Sequence, residues 1–482
     1  MGKSLYLTTT LPYVNADPHI GFALELVQAD IIARYRALLG DEVFFSTGTD
    51  EHGLKIYRKA KEEGKDPQAY VDEYAAKFHK LKEKLGLSPE LHFIRTTNPH
   101  HVAAAQELWR RCEAKGDIYK KKYKGLYCVG DEAFLKEGDL VDGKCPNHPS
   151  MEPIEIEEEN YFFRLGRYGE RLREYLSRAD AVIPDWRRQE ALQFVERGLE
   201  DFSISRVADK MPWGVPVPGD DTQVMYVWFD ALTNYISTLG WPEDAEGNFK
   251  KYWEGGDTLQ LAGKDQVRFQ SIMWQAMLMS AGLPVTKHVF YHGFITSGGQ
   301  KMSKSLGNVI DPLAIVDEYG ADALRYFLAR HVHPFDDSDF TMERFKDAYN
   351  ADLANGLGNL AARVMTMSAK YMSNPVDVPG ATESDPEVGM RMEHFEFNQA
   401  LERTLERIGH NDALIALKKP FSAVNSDDVD TRQEALSIIA KLVRELYAIA
   451  TEIEPVMPGT AEHIKKAVLN NKKPENLFPR KE

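Results

Sequence analysis

The chain has 482 residues, 43% of them hydrophobic and 28% charged, with a formal charge of -15 at pH 7. That length predicts two to four domains and leaves ample chain to bury a core. The acidic balance excludes a general nucleic-acid coat, so any RNA contact must run through local basic patches. Three cysteines, Cys112, Cys128 and Cys145, make no disulfide framework and fit a reducing compartment. No apolar run approaches bilayer-spanning length. The start, Met1 to Tyr6, lacks a signal-peptide core, and Tyr6 breaks a myristoylation pattern. The expectation is a cytoplasmic protein with no membrane partner.

In chain order, Leu5-Tyr6-Leu7-Thr8-Thr9 is a β-rich run, ended by Pro12 and by Asn15-Ala16-Asp17-Pro18. Leu24, Val27, Ile31, Tyr35 and Leu38 recur at helical spacing, and Gly40 stops that helix. Val43-Phe44-Phe45 is the next buried strand. Strand, helix, strand is the unit of a parallel sheet, and its loops at the carboxyl edge hold ligands. His19-Ile20-Gly21-Phe22 lies in the first such loop: Gly21 opens the helix and leaves room for a nucleotide, while His19 can donate to phosphate. Taken alone, such a tetrapeptide before a helix is most often only a turn. Thr47-Gly48-Thr49-Asp50-Glu51-His52-Gly53 follows the second strand. Thr49 or Asp50 reads as a helix N-cap, and Asp50 also as a carboxylate able to pair an ammonium.

Lys120-Lys121-Lys122-Tyr123-Lys124 reads as solvated surface or as a contact for an RNA acceptor arm. Cys128, Asp131, Cys145 and His148 have zinc-knuckle spacing, with Asp131 an unusual ligand. The alternative is a relic knuckle packed on Tyr127, Phe134 and Leu135. Trp228, Ala231 and Tyr235 fall on one face if their segment is helical, as core or as an aromatic pocket for a thioether. Leu259 to Ala262 is a strand leading into Gly263-Lys264-Asp265, where Asp265 can accept from a ribose diol. Val289-Phe290-Tyr291 is another buried strand; Gly298-Gly299 then turn the chain into Lys301-Met302-Ser303-Lys304-Ser305. Two ammonium groups on a loop read as plain solvated surface or as suited to a polyanion that is held and released. From about Asp347 the pattern is almost wholly helical. Asn359 and Arg363 sit one turn apart, able to contact bases or to cap helices inside the bundle.

The lysine string resembles the second ATP-binding motif of class I aminoacyl-tRNA synthetases. With Leu11-Pro12-Tyr13 upstream, His19 to Phe22 resembles the first, although Phe22 replaces the usual second His. Over essentially the whole chain the motifs resemble methionyl-tRNA synthetases. The resemblance implies an α/β fold: a Rossmann-type parallel-sheet catalytic domain in two halves (1–117 and 213–345), a small inserted connective domain with a degenerate zinc knuckle (118–212), and an all-α anticodon-binding bundle (346–482). It implies ATP with Mg²⁺, L-methionine and tRNA(Met) as reactants. ATP falls to His19, Gly21, Gly263, Asp265, Lys301, Ser303 and Lys304, with Lys301, Lys304 and His19 catalytic. Methionine falls to Leu11, Tyr13, Asp50, Trp228, Ala231, Tyr235 and His292. The anticodon falls to Asn359, Arg363 and Phe421, the last where many relatives carry Trp. Gln270 stands where relatives commonly carry His. A structural zinc on Cys128, Asp131, Cys145 and His148 stays open, and a monomer is expected. Two other readings stand beside this one: a class I synthetase for another apolar amino acid, and a paralogue that binds tRNA with little catalysis.

Overall fold

Six strands form one parallel sheet in the spatial order His92–Arg95, Glu42–Thr49, Ser4–Thr8, Asp257–Gly263, His288–His292, Val182–Ile183. The structure, a computed structural model, describes the chain apart from residue 1, 130–132, 136–137, 139, 147–150, 303–306, 379–384 and 482, and apart from the side chains of Tyr123, Ala133, Phe134, Ala245 and Lys301. It divides into two compact units: Met1–Pro18, Leu39–Lys82 and Pro89–His292 in one, His19–Leu38, Glu83–Ser88 and Gly293–Glu482 in the other.

The sheet belongs to the first unit. Leu5, Tyr6, Leu7, Phe45, Leu261 and Phe290 are all but fully buried, which is why these strands read as unbroken apolar runs. Strand order reverses between Ser4–Thr8 and Asp257–Gly263. Such a reversal opens a crevice at the carboxyl ends of the strands. The expected strands are present. His92–Arg95 was not expected, because only Ile94 of its four residues is buried and no periodicity shows in so short an edge strand. Gly48 serves it: a Cβ there would lie 1.9 Å from the Ile94 carbonyl oxygen.

The lysine run lies in the strand Ile118–Cys128, antiparallel to Ile154–Phe163, with Lys122 opposite Glu159 and Lys124 opposite Glu157. Lys124 also pairs Glu155 at 2.8 Å. Lys120 pairs Asp220 at 2.7 Å and is the main reason that carboxyl is held down to about 2. The run is thus the basic member of a charge-matched ladder. Beneath it, buried Arg206 grips Glu158 through two hydrogen bonds of 3.0 and 3.2 Å and covers the Tyr127 ring.

In the second unit, the helix Val429–Ile453 packs against Asn359–Tyr371, Phe397–Lys418 and Pro458–Leu469 around Leu442, Leu446 and Ile449. The expected helical region is therefore present. The helix Ile20–Leu38 is tied in by a fully buried ion pair, Arg325 to Asp30 at 2.7 Å. The same guanidinium donates to the carbonyls of Val456 at 2.7 Å and Pro455 at 2.9 Å. Arg325→Ala would remove one of the two guanidinium partners of buried Asp30, leaving Arg34 at 2.7 Å, and would leave the Val456 and Pro455 carbonyls without this donor. We expect a loss of about 1–3 kcal/mol, the cost of leaving a buried polar group unsatisfied, read as a lower urea midpoint; an unchanged midpoint would contradict this role.

Candidate active site

Several residues singled out from the sequence gather at the carboxyl edge of the sheet. The loop after Ser4–Thr8 runs alongside the end of Glu42–Thr49: Asp50 donates its amide to the Pro12 carbonyl at 2.9 Å, and Val14 donates to the Asp50 carbonyl at 3.2 Å. This parallel bridge sets Tyr13 directly beside Asp50. Asp50 is 7% exposed. It is no helix cap, and neither is Thr49. The following helix, Leu54–Glu62, starts from Gly53 with φ +119 and no side-chain cap, while the Thr49 hydroxyl donates to Glu51 at 2.6 Å. Gly263 ends its strand, and Asp265 follows it, exposed, in a tight helical turn. His292 ends the next strand, 5% exposed. Leu11 is half-buried in the first loop.

Trp228, Ala231 and Tyr235 lie on two short helical turns, Val227–Leu232 and Asn234–Ser237, not on one long helix. Trp228 stacks on Phe269, centroids 3.8 Å apart. Its indole N–H is buried with no acceptor among the described residues. The Tyr235 hydroxyl accepts from the Gln270 amide, so Gln270 supplies a donor at the position of the family's His.

Sequence reasoning missed what holds these pieces together. Asp230, fully buried, binds His52 Nδ1 at 2.6 Å and His101 Nε2 at 2.8 Å, one ring on each carboxylate oxygen. His101 Nδ1 lies 2.9 Å from the Ser237 hydroxyl. Burial pushes the Asp230 carboxyl up, but His52 and His101 outweigh it and hold it near 2. The aromatic turn is thereby locked to the Asp50 loop and to the helix Pro99–Ala114. A second missed group is Glu51, buried and gripped by Arg95 through bonds of 2.7 and 2.9 Å. The available signal was a His within the Asp50 string and an Asp between Trp228 and Ala231, on a stretch read as core or aromatic pocket.

In the second unit, the Gly21 amide donates to His19 Nδ1 at 3.1 Å. The ring proton therefore sits on Nε2, ready to donate. Desolvation lowers the pKa of His19, so the ring is neutral at pH 7. Gly21 makes room for this fold-back: a Cβ would meet the His19 ring at 3.1 Å and the Met302 methyl at 3.8 Å. The two short motifs thus lie together. The amide of Ile20 donates to the Ile310 carbonyl, beyond the lysine loop, at 3.1 Å. That loop leaves a hairpin, Ile295–Ser297 with Gln300–Lys301, turned by Gly298 and Gly299 at φ +61 and +74, as expected for a tight glycine turn. Asp339, also missed, pins it by accepting from the Gly299 amide and the Thr296 hydroxyl, both at 2.8 Å. Ser303, Lys304 and the Lys301 side chain lie outside the described residues.

Among the helices, Arg363 pairs Asp412 at 2.5 Å, close to the capping alternative, yet stays 37% exposed. Asn359 is exposed one turn earlier. Lys419, at φ +43, ends the long helix before Pro420 and turns Phe421 outward, 45% exposed. Arg363 and Phe421 line one cavity of about 320 Å³. For the zinc knuckle, Cys128 and Cys145 are both buried, while Asp131 and His148 lie outside the described residues. Among the described residues no three His, Cys, Asp or Glu side chains group as metal ligands, and no helix is long and apolar enough to cross a membrane.

The family model described as tRNA synthetases class I (M) matches residues 5–152 and 148–365. The chain is 41% identical to the methionine–tRNA ligase of Thermotoga maritima over 97% of this chain and 76% of that protein. It is 42% identical to that of Mesorhizobium japonicum over 95% and 90%. It is similar to the solved Mycobacterium tuberculosis methionyl-tRNA synthetase in complex with methionyl-adenylate, with a TM-score of 0.89 and 36% identity, covering 100% of this chain and 99% of that one. The chain belongs to the class I tRNA synthetases and, within them, to the methionine–tRNA ligases.

Asp230→Asn should unfold more easily at neutral pH, since two charge-assisted bonds contribute about 1.5–3 kcal/mol each. Because folding depresses this carboxyl, its stabilisation is complete above the ordinary aspartate value of ~4 and is lost as pH falls toward about 2. Denaturation curves should therefore show the gap between wild type and variant closing over that window; a gap independent of pH would contradict it.

Proposed function

We propose that the chain attaches L-methionine to tRNA(Met) in two steps, with ATP entering as its Mg²⁺ complex. A methionine carboxylate oxygen attacks the α-phosphorus, and pyrophosphate leaves. The terminal ribose 2′ hydroxyl of the tRNA then attacks the acyl carbon of methionyl-adenylate, and AMP leaves. No protein nucleophile is required; the chain supplies position and charge.

The observation that carries this reading is the placement of Asp50, a nearly buried carboxylate fixed beside Tyr13 at the carboxyl edge of the sheet. A carboxylate there pairs the α-ammonium of an amino acid. Tyr13, Trp228, Ala231, Tyr235, His292 and Leu11 line the side-chain pocket. Sulfur on aromatic rings contributes about 0.3–1.5 kcal/mol per contact. Asp265 takes the ribose hydroxyls, and Gly263 lets the adenosine approach backbone. On the phosphates, Lys301 and Lys304 bring positive charge, Ser303 a hydroxyl, Gly21 an open helix start, and His19 its Nε2 proton. With Phe22 in place of the family's second His, His19 is the ring donor there. Asn359, Arg363 and Phe421 meet the anticodon.

Methionine-dependent ATP–pyrophosphate exchange tests the assignment: of the standard amino acids, methionine alone should support it. Exchange supported only by another amino acid, or by none, would overturn the reading. Lys304→Ala should lower exchange by at least about 10²-fold, the scale on which one preorganised charge-stabilising group acts; near-normal turnover would remove the lysine loop from the chemistry. Asp50→Ala should weaken methionine binding by about 10-fold or more, as expected for loss of a charge-assisted bond. Calorimetry showing an unchanged affinity would take Asp50 out of the pocket.

A further inference from the structure

The segment after the last long helix has no regular structure, yet it is held at both ends. Near its start, Asn471 accepts from the Ser368 hydroxyl at 2.7 Å and donates to the Met372 carbonyl at 3.0 Å. Near its end, the Tyr349 hydroxyl donates to the Pro479 carbonyl at 2.9 Å, and Asn350 exchanges two hydrogen bonds with the Lys481 backbone, at 2.9 and 3.0 Å. Phe478 is buried edge-on against Tyr349. Between these anchors the chain forms a wall facing the helix that carries Asn359.

The space enclosed is a cavity of about 730 Å³, lined by Asn355, Asn359, Ala362, Lys473, Asn476 and Arg480 among others. Ala362 and Lys473 also line the cavity of Arg363 and Phe421. The two cavities therefore adjoin, with a small side chain and a cation at their common border. Asn355, Asn359 and Asn476 are exposed carboxamides, each able to donate and accept on a base edge. Lys473 and Arg480 are exposed and make no ion pair among the described residues, on a protein of formal charge -15. Glu475 is the one acidic lining residue.

We infer that the segment Lys473–Arg480 is the second wall of the RNA groove. Asn476 reads a base in the larger cavity beside Asn359, and Lys473 and Arg480 take the adjoining phosphates of a single-stranded loop that crosses Ala362 to the Phe421 ring. This rests on the reading of the helical region as the anticodon site, and extends it to a segment that reading does not use.

The test is steady-state charging of transcribed tRNA(Met) by the full chain, with methionine-dependent exchange measured in parallel. Lys473→Ala with Arg480→Ala should raise the tRNA KM about tenfold and flatten its log–log salt dependence by about 1.4, two phosphates at ~0.7 each on single strands. Exchange should hold, and Lys473→Arg alone should keep the wild-type KM. If the double variant charges normally while Phe421→Ala does not, the inference fails and the anticodon reading stands. If both charge normally, both fail. A loss of exchange matching the loss of charging makes the segment a structural strap and overturns the inference.

Discussion

Asp230 carries a charge that has no access to water, and two imidazoles from distant parts of the chain make that tolerable. An isolated buried carboxylate would cost several kcal/mol. Paired on both oxygens, it instead dictates where three segments meet. His52 ends the string that contains Asp50, His101 lies in the first turn of the helix Pro99–Ala114, and Asp230 itself sits between Trp228 and Ala231. The aromatic turn cannot shift relative to the Asp50 loop without breaking one of these bonds. The proposed methionine pocket is therefore a rigid object, set by polar bonds behind its walls. Rigidity matters here because one methylene distinguishes substrates by only about 1–3 kcal/mol.

The proposed phosphate side rests on different contacts. A two-glycine hairpin, its turn held by Asp339, leads into the lysine string, and the His19 fold-back fixes one neutral donor. The chain as a whole is acidic, so the attraction has to be local. The paired lysine strand illustrates the rule: where cations are not wanted for a ligand, the fold neutralises them with facing glutamates.

Much of this was legible beforehand. The central strands are buried on both faces and announce themselves as apolar runs, and the order of the loops at their ends follows from parallel connection. Asp50, Asp265 and His292 could be placed at the carboxyl edge by position in the chain alone. What could not be read were pairings between distant residues. Asp230 with His52 and His101, Arg325 with Asp30, and Arg363 with Asp412 have no local pattern, because each joins segments far apart in sequence. The edge strand His92–Arg95 was invisible for want of length, and the aromatic turn is broken at Thr233 where spacing suggested one helix.

The most direct check is a crystal structure of this chain with a non-hydrolysable methionyl-adenylate analogue. The ammonium should lie within hydrogen-bonding distance of Asp50, the thioether against Trp228 and Tyr235, and the ribose hydroxyls on Asp265. An analogue bound with its ammonium away from Asp50 and its ribose away from Asp265 would contradict the site described.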